Sequence, residues 1–168
     1  MSEAQSPIRL AVAEPLLHDV LKRDLIALLR DNRSLSLDMR HLDNSFSPVA
    51  DDPHVVVWLG QPVNVLPYMQ RLGMQMRALG TFEYLPCIGR RYTRARGALR
   101  GLADLQTEQE VALVQWQDYA TQAFVEPWNQ AISRRRSNMV TVHSYSMLWE
   151  LVRWGAFVGV LPYYAVRL

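Results

Sequence analysis

The chain is 168 residues long, 49% hydrophobic and 20% charged, with a formal net charge of +2. That length and mix suit one or two small globular domains with a buried core, and the net charge is too small to argue for nucleic-acid binding by itself. The single cysteine, Cys87, excludes an internal disulfide and argues against a thiolate metal site.

The N-terminus "MSEAQSPIRL" is polar, with no apolar signal core, and no run approaches the roughly 18 apolar residues of a membrane span. A cytoplasmic protein is expected. Seventeen of the eighteen basic residues are Arg, which coding bias explains more simply than function. Cys87 sits in the apolar "YLPCIG" and reads as a buried, inert thiol.

In chain order, "IRLAVAE" (8–14) reads as a buried strand. "PLLHDVLKRDLIALLRD" (15–31) follows as one helix opened by Pro15, with Leu17, Leu21, Leu25 and Leu29 as its core stripe. "LSLDMRHL" (35–42) alternates like a strand covered on one face, and the continuous β-branched "VVVWLG" (55–60) reads as a strand buried on both faces. A parallel β-α-β start follows, with right-handed connection. The crossover at 43–54 is short and contains Pro, so any helix there is stunted.

After Pro62 the pattern weakens, and residues 63–80 read as a poorly regular excursion. Strands are expected in "TFEYLPCIGRRY" (81–92) and "VALVQW" (111–116). Between them "TRARGALRGLADL" (93–105) reads as a loop leading to a short helical turn. "YATQAFVEPWNQAISRRR" (119–136) is helical in part, kinked or broken by Pro127. The last unit is a strand at 139–143, a helix at about 146–154 capped by Gly155, and a strand at 157–161.

Catalytic signatures do not emerge: there is no G-x-S-x-G, no phosphate-cradling glycine loop and no G-x-G-x-x-G. His18, His41, His54 and His143 are scattered, without metal-helix spacing. No cofactor, metal or catalytic residue is expected. "RRYTRARGALR" (90–100) offers Arg90, Arg91, Arg94, Arg96 and Arg100 to an anion, but reads more simply as a solvated loop. "SRRRS" (133–137) reads as a basic helix end complementing the dipole.

Polar residues at strand ends make better ligand candidates, because open parallel sheets bind small molecules beyond the carboxyl ends of their strands. In the first half these are Glu14, Asn44, Ser45 and Gln61; in the second they are Gln115, Trp116, Ser144, Tyr145 and Ser146. Each alone suits an ordinary turn or cap; together they describe a cleft between two halves. Trp116, Tyr145 and Trp149 would offer aromatic walls, and Glu14 would favour a neutral or hydroxylated aromatic ligand over a carboxylate. Ser146 is the expected N-cap of the last helix, leaving Ser144 for the ligand.

"VTVHSYSMLWELVRWGAFVGVLPYYA" resembles a segment of LysR-type transcriptional regulators: a helix ending in V-x-x-G, here Val152 to Gly155, then G-[IV]-x-[LI]-[LV]-P, here closing on Leu161-Pro162. "IRLAVAEPLLHDVLKRDLIALLRDNRSLSLDMR" resembles the start of the same regulatory domain, and "YTRARGALRGLADL" its loop and L-x-D-L turn. The likeness spans roughly 8–165. His54 and Val55 stand where the family commonly has D-[LV] before its third strand.

The resemblance implies a periplasmic-binding-protein-like (type 2) α/β fold with two subdomains. The expected divisions are 8–62 for the first part of subdomain I, 63–80 for a connection, and 81–165 for subdomain II. It also implies a small-molecule effector in the cleft and a homodimer or tetramer formed through the first helix, where Leu16, Val20 and Leu28 lie beside the core stripe. DNA would be contacted only through a helix-turn-helix that these residues do not include, and no membrane would be involved. The sequence reads as an excised or incomplete regulatory domain, without the family's return segment. A free-standing solute-binding protein of the same fold is the alternative, and an enzyme on this scaffold the least favoured reading. A signal peptide or a helix-turn-helix coding region upstream of Met1 would separate the first two.

Overall fold

The computed structural model describes residues 6–60, 65–92, 100–107 and 110–164. The chain forms two compact units, Met1–Leu79 and Gly80–Leu168.

In the first unit, β1 (Ile8–Val12) lies between β2 (Leu37–His41) and β3 (Val55–Val57), all parallel. Ile8 to Val12 register against Leu37 to His41, and Leu10 to Val12 against Val55 to Val57. A central parallel strand is covered on both faces, so its end is the most buried part: Val12 and Ala13 are at 0% exposure. Leu16, Leu42 and Leu59 complete that core.

The 15–31 segment is not one uniform helix. Leu16–Leu21 is π-helical, and only Lys22–Asp31 (α1) is α-helical. A π turn inserts a residue into the helical register, which redirects the side chains on either side of it. Leu16, expected on the outer face, is buried at the core edge. α1 has no fully buried residue; Leu25 and Leu29 are half-buried, while Val20 before it, Ile26 and Leu28 are exposed.

The third strand is also shorter and wetter than its run of valines suggests. Among the described residues β3 pairs with β1 alone, and Val55 is exposed. After Val57 the chain leaves the sheet: Leu59 N–H donates to Ser45 O at 2.8 Å, which drops Leu59 into the core. Where the β1 strand begins, Arg9 pairs with Asp52 at 2.9 Å, and its backbone N–H donates to His54 Nδ1 at 3.0 Å. In the 63–80 stretch, α2 (Leu66–Arg71) is a short helix with Pro67 in its first turn and Met69 buried; Gly73 follows at φ +64°.

The second unit is a four-stranded sheet in the order β4-β7-β5-β6. β4 (Tyr84–Cys87) runs antiparallel to β7 (Phe157–Pro162); β5 (Ala112–Trp116) is parallel to β7 and to β6 (Met139–Val142). The short helix α3 (Leu102–Thr107) leads into β5. Two 3-10 turns, Gln117–Thr121 and Ala123–Val125, precede α4 (Glu126–Ser133). Pro127 therefore opens α4 rather than kinking it, since a first-turn residue needs no N–H partner.

The last helix, α5 (Tyr145–Trp154), buries Tyr145, Leu148 and Val152. Its close approach to β7 requires Gly159, where a Cβ would meet Val114 Cγ1 and Val152 Cγ2 at 2.8 Å. Gly155 does cap α5, donating to Leu151 O at 2.9 Å, but at φ −96°. The left-handed residue is Ala156, at φ 60°. Glycine is needed at 155 for space: a Cβ there would meet Leu151 O at 2.8 Å. The basic run after α4 is also not simply solvated. Arg135 is 7% exposed, and its guanidinium donates to Leu105 O at 3.0 Å and to Val111 O, tying α3 and the start of β5 to the end of α4.

Candidate functional site

The candidate residues of the first unit meet because parallel neighbours end on the same side. Ser45, 1% exposed, accepts the Glu14 N–H on its Oγ at 3.2 Å, linking the exits of β1 and β2. Asn44 holds the turn open: its Oδ1 accepts the Phe46 N–H at 2.8 Å and its carbonyl accepts the Ser47 N–H at 3.1 Å. Glu14 and Asn44 are half-buried. Gln61 lies outside the described residues, as do Arg94 and Arg96.

In the second unit the candidates divide. Gln115 is buried, with both ends of its amide engaged: Nε2 donates to Asn129 Oδ1 at 2.9 Å, and Oε1 accepts the Trp128 indole N–H at 2.7 Å. Asn129 in turn donates to Tyr119 O at 3.0 Å. Trp116 and Tyr145, at 1% and 0% exposure, pack against each other with centroids 5.4 Å apart. Tyr119 meets Trp116 edge-on at 5.0 Å. These rings fill the core rather than standing as walls around an open space.

Ser144 and Ser146 form the polar entry to α5. Ser144, not Ser146, is the N-cap: its extended backbone (φ −114°, ψ 132°) lets Oγ accept the Met147 N–H at 3.4 Å. The helix thus begins two residues earlier than a cap at Ser146 would place it, and its first residue, Tyr145, is buried. Ser146 is exposed, with its Oγ 2.7 Å from that of Ser144.

A cavity of about 130 Å³ in the first unit is lined by Arg9, Asp38, Arg40, Asp43 and Asp51 among others, and by none of the candidate residues. Arg40 pairs with Asp38 at 2.8 Å and holds its carboxyl below the usual carboxylate range, chiefly through that hydrogen bond. Among the described residues no group of three His, Cys, Asp or Glu side chains could hold a metal ion. Burial pushes the Tyr84 hydroxyl well above its ordinary value and the Cys87 thiol up to about 11. Cys87 is half-buried rather than buried, and its Sγ donates to Leu85 O at 3.2 Å.

Sequence reasoning missed Trp128, Asn129 and Arg135. Trp128 alone carried a signal, since a buried indole N–H usually finds an acceptor.

No helix of the described residues is long and apolar enough to cross a membrane. No protein of curated function matches the chain by sequence. Among solved structures, the AmpR effector binding domain from Citrobacter freundii is similar at 13% identity and a TM-score of 0.51, covering 97% of this chain and 76% of that one. A variant of the C. freundii domain with three substitutions matches at 13% identity and 0.51, covering 96% and 76%. The effector domain of AmpR from Pseudomonas aeruginosa has 14% identity and a TM-score of 0.48, covering 96% and 72%. The family model described as the LysR substrate binding domain matches residues 2–168. The chain belongs to that family, the LysR substrate-binding domain of transcriptional regulators, with its type 2 periplasmic-binding-protein-like α/β fold.

Proposed function

We propose that this domain senses a small-molecule effector through polar groups at the entry to α5 in its second unit. The observation that carries the reading is the Ser144–Ser146 hydroxyl pair, 2.7 Å apart at the N-terminus of a ten-residue helix. Helix N-termini favour polar, electron-rich ligand atoms, and Ser146 is exposed to receive one. The Glu14–Ser45 link at the sheet end of the first unit supports a second set of polar contacts. The similar AmpR structure from Citrobacter freundii is described as an effector binding domain, which favours the same role here.

Glu14 disfavours a simple carboxylate beside it, so a neutral or hydroxylated effector suits the site. Gln115, Trp116 and Tyr145 would then act from behind, by fixing the shape of the second unit. The effector would bias one conformation of the domain over another, and only its differential affinity for them can carry a signal to a DNA-binding part. Self-association is supported by the exposed Val20, Ile26 and Leu28 along the 16–31 segment. A thermal-shift screen of neutral and hydroxylated metabolites tests the reading: a saturable rise in melting temperature is expected for one compound class, and no rise with any class counts against it.

A further inference from the structure

Gly89 seats the chain against the last turn of α5. Its N–H donates to Val152 O at 3.0 Å, and an added Cβ would meet Arg153 O at 2.7 Å. That close approach delivers Arg91 and Tyr92 to the helix end. Arg91 Nη2 donates to Trp154 O at 2.9 Å and to Tyr92 Oη at 2.6 Å, while the Tyr92 hydroxyl also donates to Trp154 O.

The Arg91 guanidinium lies 4.8 Å from the Tyr92 ring centroid and 5.2 Å from that of Trp154. The Arg153 guanidinium lies 4.9 Å from Trp154 and 5.0 Å from Trp149. Aromatic rings and guanidiniums thus alternate in the order Tyr92, Arg91, Trp154, Arg153, Trp149. Capping the helix carbonyls accounts for Arg91. It accounts neither for Arg153 nor for a Trp154 indole that remains 51% exposed. Among the described residues, neither Arg91 nor Arg153 is ion-paired with a carboxylate.

We infer that this stack is a docking surface for a protein segment that presents carboxylates beside an apolar side chain. A guanidinium stacked on a ring keeps its in-plane N–H edges, which match a carboxylate in geometry and charge; Arg153 stacks in this way, whereas Arg91 already spends Nη2 on Trp154 O and Tyr92 Oη. Arg and Trp are the residue types that carry most binding energy at protein interfaces, and a pre-formed stack lowers the ordering cost of binding. A nucleic acid fits less well. Duplex phosphates offer nothing apolar to Trp154, and an unpaired base would compete with two guanidiniums for that ring.

The test is fluorescence anisotropy at low salt with three labelled probes: a short peptide alternating Glu and Leu, its Lys-for-Glu counterpart, and a random-sequence DNA duplex. The acidic peptide is expected to bind, and Trp154→Ala or Arg153→Ala to weaken it about tenfold, or about 1.4 kcal/mol. Arg153→Gln, a neutral change at an exposed side chain, is expected to weaken acidic-peptide binding with little change in melting temperature, so misfolding would not imitate the result. No acidic-peptide binding at about 1 mM, or equal binding by wild type and all three variants, overturns the proposal. Trp154-dependent binding of DNA in place of the peptide overturns it in favour of a nucleic-acid contact.

Discussion

Trp128 donates its indole N–H to Gln115 Oε1 at 2.7 Å, and this bond ties α4 to the central region of the second sheet. Both partners are buried, so neither regains water if the other is removed. Gln115→Leu keeps an apolar side chain in that space but orphans Trp128 Nε1 and Asn129 Oδ1. We expect it to destabilise the domain by about 1–3 kcal/mol, read from urea denaturation with an unchanged m-value. A loss within error would show that water or a rotated Asn129 replaces the bond.

Ser144 and Ser146 separate capping from exposure. Ser144→Ala removes the acceptor for Met147 N–H and should cost about 1 kcal/mol, the usual loss for a helix N-cap. Ser146→Ala should change stability by less than about 0.5 kcal/mol, as exposed substitutions generally do. Paired thermal melts check both, and equal losses would contradict the assignment of Ser144 as the cap.

Cys87 should be slow with thiol reagents near neutral pH. Burial raises its thiol from 9.0 to about 11, partly offset by a backbone hydrogen bond from Leu161, and only the thiolate is nucleophilic. Because the folded value lies above the unfolded one, the associated stability is full below pH 9.0. It is lost as pH rises through about 11. Disulfide-exchange rates in the folded protein should rise about tenfold per pH unit from pH 7 upward and level off only near pH 11; a plateau already reached below pH 9 would contradict this.

How much of this was legible in the sequence depended on whether the controlling contact was local. β1, β5 and β7 follow from their apolar runs, and α5 from its helical pattern ending at Gly155. The early part of the first helix departs from the sequence pattern because a π turn leaves no composition signal, yet it moves Leu16 from an outer face into the core. The valine run overstated β3, since the Leu59–Ser45 bond that draws the chain out of the sheet joins residues far apart in sequence. The site was only partly legible for the same reason. Ser144 to Ser146 reads as a turn from the sequence, whereas Gln115 reads as a strand-end ligand although Trp128 and Asn129 occupy its amide.

Self-association has a direct test in α1, where Ile26 is 60% exposed and Leu28 45%. Ile26→Glu puts a charge where an apolar contact is proposed. Sedimentation of the wild-type domain at micromolar concentration should show a dimer, weakened about tenfold or more by Ile26→Glu with little change in monomer stability. Monomeric wild type at every concentration would rule out this face as the interface.

The central claim is that a small effector binds at the entry to α5, and Ser146 gives the most direct measurement because it is exposed there without capping the helix. The effector found by thermal-shift screening should be titrated calorimetrically into wild type and Ser146→Ala. The account predicts one site per chain in the wild type, and affinity lower by about tenfold in the variant, the worth of a good hydrogen bond to a buried ligand atom. Equal affinity in Ser146→Ala and wild type would contradict it.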